Sequence, residues 1–287
     1  MRAAGILIFL FGMGSFSSGQ NTLLWEITGN GLREPSYLFG TMHVLCEENL
    51  PKHDSLLPAM ARCKRLVIEM DESKVGAIKQ LRLARMRGDT SLSDLLDEEE
   101  LAEVARFFTD SLGLRLSFLM TMKPALLSSL VMLNALPCEQ KEITGVEKVL
   151  QSWGDSLNLR LEELETFRYQ AALFDSIPYA VQAQELLHGV REHEKLAEEF
   201  RTLVHLYSNQ LLDSIAVIIP FDSSDVYDLE AKFIANRNRN WMHKMPGMMK
   251  NSPCFFAVGA AHLPSENGVI YLLRKEGYTV RPIFSSF

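Results

Sequence analysis

The chain has 287 residues, 47% of them hydrophobic, enough for one large or two small globular domains with a sizeable core. Its 36 acidic residues outnumber 29 basic ones, for a net charge of -7 with no long basic run. That balance does not suit neutralising a phosphate backbone, so no nucleic-acid partner is expected.

Met1 to Gln20 differs from everything after it. Arg2 precedes the apolar run Ala3 to Met13, and Gly14 to Gly19 supplies small residues that suit cleavage. The run falls short of the roughly 20 apolar residues that span a bilayer, and no later segment is long and uncharged enough to do so. Residues 1–19 therefore read as a secretory signal peptide and 20–287 as one domain. The expected location is periplasmic or secreted, with no transmembrane span in the mature chain.

Thr22 to Thr28 alternates as a strand does, and Gly29-Asn30-Gly31 turns it into a second strand at Ser36, a hairpin that delivers His43. Pro51 to Lys64 has helical spacing and leads into a buried strand, Arg65 to Asp71, which carries Glu69. Asp97 caps a predicted helix Glu98 to Ser111, and Pro124 opens another that runs to Leu136. The greasy flank Phe118 to Leu136 could face a substrate, and the plainer expectation is that it is core. Gly145 to Trp153 reads as helix, Leu157 to Glu165 as strand, and Thr166 as the cap of a helix through Phe174.

Tyr179 to Ile219 is helical, and its His188, His193 and His205 read as surface or packing residues. In the predicted helix Asp225 to Met249, about 100° per residue puts Leu229, Phe233, Arg237 and Trp241 on one stripe and turns Arg239 away. Arg237 on a buried face needs an anionic partner. Strand Cys254 to Val258, the turn Gly-Ala-Ala-His262, a helix Glu266 to Glu276 and a closing strand Thr279 to Phe284 complete the chain. The fold class is therefore mixed α/β, one domain with a central mixed sheet covered by helices and large helical insertions.

Four cysteines in an oxidising compartment allow three pairings. Cys46 and Cys138 sit in polar, loop-like surroundings and are the expected bridge. Cys63 and Cys254 read as small buried hydrophobes.

Two strands end alike, in Gly40-Thr-Met-His43 and Gly259-Ala-Ala-His262, and a third carries Glu69 at its end. Two imidazoles and a carboxylate, with positions left for water or substrate, make a workable site for a catalytic divalent metal. No HExxH, paired CxxC, nucleotide-binding glycine loop or Gly-x-Ser-x-Gly competes.

Tyr37-Leu-Phe-Gly-Thr-Met-His43, Leu66-Val-Ile-Glu69, Leu164-Glu165-Thr166 with Gln170, Arg237-Asn238 with Trp241, and Gly259-Ala-Ala-His-Leu-Pro264 with Gly268 and Gly277-Tyr278 resemble the TraB/GumN family. That group includes the Tiki and PrgY proteins. One departure is Ser265, where the family usually has Gly. The resemblance implies a protease-like fold centred on His43, His262 and Glu69, and for Tiki relatives Mn- or Co-dependent cleavage of a peptide from a secreted partner.

The leading expectation is thus a metal-dependent hydrolase, most simply a peptidase. His43, Glu69 and His262 would hold Mn, Co or Zn, Glu165 would act as general base or further ligand, and Arg237 as oxyanion or substrate-carboxylate partner. A buried Arg237–Glu165 pair bracing the site is the plainer alternative. Two other functional readings stay open: a non-catalytic protein that sequesters a peptide or small ligand in the same cleft, and hydrolysis of an ester or other small-molecule linkage.

Overall fold

The structure is a computed structural model that describes residues 21–218 and 227–286. The expected signal peptide lies outside the described residues. The strands are β1 (Leu24–Gly29), β2 (Ser36–Thr41), β3 (Leu45–Cys46), β4 (Arg65–Ile68), β5 (Ile143–Thr144), β6 (Arg160–Glu163), β7 (Cys254–Gly259) and β8 (Tyr278–Ile283). Six form one sheet in the order β6-β4-β7-β2-β1-β8, and β3 pairs with β5 in a small ribbon.

The sheet is mixed, as expected. β6, β4, β7 and β2 run parallel, whereas β1 is antiparallel to both β2 and β8. Every residue of β2 is buried, and so is β7 up to its last residue. Such two-sided burial is why both read as continuous apolar runs rather than alternating ones. The β1–β2 turn carries Gly29, Asn30 and Gly31 at φ 80°, 44° and 80°, left-handed backbone that this tripeptide tolerates.

Helices cover the sheet and form a second apolar cluster beside it. Asp97 accepts from the Glu100 N–H and Glu100 returns the bond, which starts the helix Glu98–Leu112, and Gly113 at φ 65° ends it. This helix, Pro124–Leu133 and Tyr179–Arg191 bury Val104, Phe108, Leu127, Val131 and Leu186 together. The expected core character of the greasy flank therefore holds for Leu127 and Val131, but Phe118 is 79% exposed. Cys46 and Cys138 are bridged, while Cys63 and Cys254 are free and buried. Burial pushes both free thiols up, Cys254 to about 12.

Several boundaries moved. The helix expected from Pro51 is Leu56–Ala61, and the strand expected from Leu157 begins at Arg160, after Asn158 turns the chain at φ 56°. The expected single helix from Asp225 is three pieces where it is described: a π-turn Ala231–Ala235, then Asn236–Met242 and Met245–Asn251. Pro246, near the start of the third piece, has no N–H to continue the preceding ladder.

Candidate active site

The site collects at the C-terminal ends of the parallel strands, the edge at which open α/β sheets bind ligands. Glu69 follows β4, Glu165 lies two residues beyond β6, His43 two beyond β2, and His262 closes a short turn after β7. The Glu165 N–H donates to the Glu69 carbonyl at 2.8 Å, which extends the β4–β6 ladder into the site. At Gly40 a Cβ would lie 3.1 Å from the Ala260 Cα, so glycine lets β2 and the second His turn pack closely.

Arg237 stands at the centre of a buried network. Its Nε donates to Glu165 Oε2 at 2.9 Å and its Nη2 to Glu69 Oε2 at 2.5 Å, and Nη2 lies 2.9 Å from Glu165 Oε2 in an ion pair. Nη1 donates to the Phe233 carbonyl of the π-turn at 3.1 Å and to His262 Nε2 at 3.0 Å. Four of the five guanidinium N–H groups thereby donate hydrogen bonds. Gln170 Nε2 bridges the same two carboxylates at 3.1 Å each, and the Gly259 N–H donates to Glu69 Oε1 at 2.7 Å.

His262 is buried, and its tautomer follows from its neighbours. Nε2 accepts from Arg237, so Nδ1 carries the proton and donates to Asn238 Oδ1 at 2.7 Å. The Asn238 amide in turn donates to the His262 and Asn267 carbonyls. Trp241 packs 4.5 Å from the imidazole, with the Arg237 guanidinium 5.2 Å from its ring centroid. Arg237 and Trp241 are thus buried as their stripe predicts, and Arg239 is exposed.

The electrostatics follow from this packing. Burial drives His262 down to about 3, so it is neutral at physiological pH. Burial alone would raise Glu69, but His262, Arg237, His43 and the Gly259 N–H outweigh it and hold the carboxyl at about 2. With His262 uncharged near neutrality, Arg237 is the permanent cation among these groups.

A second pair, unforeseen in its acidic partner, reaches the same cleft through His43. His43 Nδ1 lies 2.7 Å from Glu147 Oε1, with the two side chains 67% and 16% exposed. Glu147 sits in the first turn of the helix Val146–Ser156, which is tied to the His43 turn by Val146 N–H donating to the Met42 carbonyl at 3.0 Å. Gly145 makes the approach possible, because a Cβ there would sit 2.5 Å from the His43 carbonyl oxygen. The bond to Glu147 raises His43 to about 9, and the same bond keeps Glu147 low against the opposing effect of burial.

His43, Glu69, Arg237 and His262 line a cavity of about 200 Å³ whose apolar wall includes Met42, Leu203, Tyr207 and Ile215. Glu165 does not line it. Its Oε1 is buried with no hydrogen-bond partner.

Residues 23–282 match the TraB/PrgY/gumN family. The chain belongs to that family. A Metalloprotease TIKI homolog from Amphimedon queenslandica is 22% identical over 322 residues, an alignment covering 93% of this chain and 62% of the sponge protein. The chain therefore spans under two thirds of that relative's length. No solved structure matches the chain. Among the described residues, no helix of this TraB/PrgY/gumN member is long and apolar enough to cross a membrane.

The donor atoms of this family member do not fit a divalent metal in the arrangement seen. Glu69 and His262 are near each other, with Oε1 and Nε2 3.7 Å apart, but Oε1 already accepts from the Gly259 N–H, and Glu69 Oε2 and His262 Nε2 both accept from the guanidinium of Arg237. A dication placed between them would face that fixed positive charge at close range. Among the described residues no three His, Cys, Asp or Glu side chains converge as a ligand group.

Proposed function

We propose that the protein is an exported hydrolase that cleaves peptides in the cleft bordered by His43 and His262, with His43 and Glu147 handling the proton. The observation that carries this reading is the contrast among the cleft's titratable groups. Glu69, at about 2, and His262, at about 3, keep one protonation state through the neutral range, whereas His43 changes its own above neutrality.

Glu147 occupies Nδ1 of His43, which leaves Nε2 as the working nitrogen. Unprotonated, Nε2 takes a proton from water as that water attacks the scissile carbonyl, and the imidazolium then gives the proton to the leaving amine. Arg237 contributes a fixed positive potential beside the developing oxyanion while Glu69, Glu165 and Gln170 hold it in place. Glu165 is in this scheme a positioning residue. Export rests on the sequence of residues 1–19, and peptide as substrate class on family membership and the name of the sponge relative.

A metal-dependent variant of the reaction, with Mn, Co or Zn, would require Arg237 to withdraw from Glu69 and His262. The closed hydrogen bonding of Arg237 favours a second reading, a peptide- or small-ligand-binding protein without turnover. One experiment separates the three: digestion of a peptide library read by mass spectrometry, with the protein metal-analysed and assayed with and without chelator. Cleavage that survives chelation supports the His43–Glu147 scheme. Chelator-sensitive cleavage supports the metal variant, and retention of peptides without cleavage supports binding.

A further inference from the structure

The helix Ala77–Ala84 buries none of its residues. Gln80, Leu83 and Ala84 are half-buried on the side packed against the helix Phe167–Phe174, while Ile78 and Leu81 are 74% and 50% exposed. Ile78, Leu81, Arg82 and Arg85 follow i, i+3, i+4, i+7 spacing, so two large aliphatic side chains share one outward stripe with two cations.

The charge is as localised as the apolar surface. From Ser73 to Gly88 the chain carries Lys74, Lys79, Arg82, Arg85 and Arg87 and no acid, flanked by Glu72 and Asp89, in a protein of net charge -7. Lys74 is paired with Glu163 and Arg87 with Asp175, but among the described residues Lys79, Arg82 and Arg85 have no ion pair. The end of this helix is joined to a neighbouring segment by Lys123 N–H to the Ala84 carbonyl and Met86 N–H to the Thr121 carbonyl. That segment begins with exposed Arg115 and carries Phe118, 79% exposed.

We propose that this strip is a docking surface for an anionic bilayer. Ile78, Leu81 and Phe118 would enter the headgroup boundary, and Lys79, Arg82 and Arg85 would meet lipid phosphates. Exposed aliphatic and aromatic side chains set among unpaired cations are the composition of helices that lie in a membrane interface. The long stems of Arg and Lys let their charges reach phosphate while their carbons rest on apolar surface. Nucleic acid would use the cations but leave Ile78 and Leu81 exposed. A two-turn helix offers too little area for a stable protein interface of roughly 800 Å² per partner.

The test is flotation of the purified protein with vesicles of phosphatidylcholine alone or mixed with phosphatidylglycerol, across a salt series. The wild type should float with the mixed vesicles, release as salt rises and ignore the neutral ones. Ile78→Asp with Leu81→Asp should abolish flotation, and each cation lost in Arg82→Glu with Arg85→Glu should cost about fivefold in partitioning at low salt. Circular dichroism should be unchanged, because these side chains are exposed.

No binding by the wild type would overturn the proposal, as would equal flotation of the folded variants. Two further results would also overturn it: retention of an RNA oligonucleotide that survives the double Asp variant, and self-association, without lipid binding, that the double Asp variant removes.

Discussion

Arg237→Met would remove the cation from between two carboxylates while keeping much of the side chain's apolar volume. The three groups involved are deeply buried, with Arg237, Glu69 and Glu165 side chains 8%, 7% and 4% exposed. Deleting one member of a buried ion pair is expected to cost about 3–5 kcal/mol, because the carboxylates it leaves behind are buried without their cation. At about 2–4 °C per kcal/mol for a chain of this size, the melting temperature should fall by about 6–20 °C.

The pH dependence gives the sharper test. In the wild type the folded Glu69 is depressed, so its contribution is present above about pH 4.5 and is lost as pH falls toward 2. In the variant, burial without the cation lifts the Glu69 carboxyl above its usual range. Folding then binds a proton, and stability falls as pH rises. Calorimetric melts should therefore show a larger deficit at about pH 8 than at about pH 5, and adding Glu69→Gln should recover part of it. A deficit independent of pH, or below about 1 kcal/mol, would refute the assignment of Arg237 as the cation that balances this cluster.

Glu147→Gln should let His43 fall from about 9 toward 6.5, so the acidic limb of a pH–rate profile should move to lower pH; an unmoved limb would detach the pair from the proton step. Cys46→Ser with Cys138→Ser opens a crosslink across 92 positions, for which chain entropy predicts a loss of about 4.6 kcal/mol by urea unfolding. The denatured, unreduced wild type should titrate two thiols, and four would disprove the bridge. Ser265 sits at φ 74°, so Ser265→Gly should stabilise by about 1 kcal/mol, read as a rise of about 2–4 °C. Gly145→Ala should destabilise by about 1–3 kcal/mol, because its new methyl meets the His43 carbonyl; a neutral result would mean the turn yields easily.

Much of the fold was legible because its signals are local. The hairpin announced itself by Gly29-Asn30-Gly31, the helix from Glu98 by its capping residues, and the buried strands β2 and β7 by their apolar runs. The bridge was legible from the polar surroundings of Cys46 and Cys138. Arg237 could be placed on a buried face by helical angle, although the helix itself is broken by a π-turn and by Pro246, neither of which alters that angle enough to expose it.

The rest depends on distant contacts. Glu147 pairs with a residue 104 positions earlier, and from sequence it resembles any acid that favours the first turn of a helix. The β3–β5 ribbon is two residues per strand, too short for any periodicity to register. Ser265 drew notice only as a departure from family habit, and its positive φ gives that departure a physical cost.

The role of His43 in peptide cleavage is most directly tested by digesting a peptide library with the wild type and His43→Ala, because that side chain is largely exposed and its loss should leave the fold intact. Defined cleavages by the wild type should disappear in the variant while its circular dichroism spectrum stays native-like. Cleavage that persists without His43, or a folded wild type that cuts nothing, would contradict it.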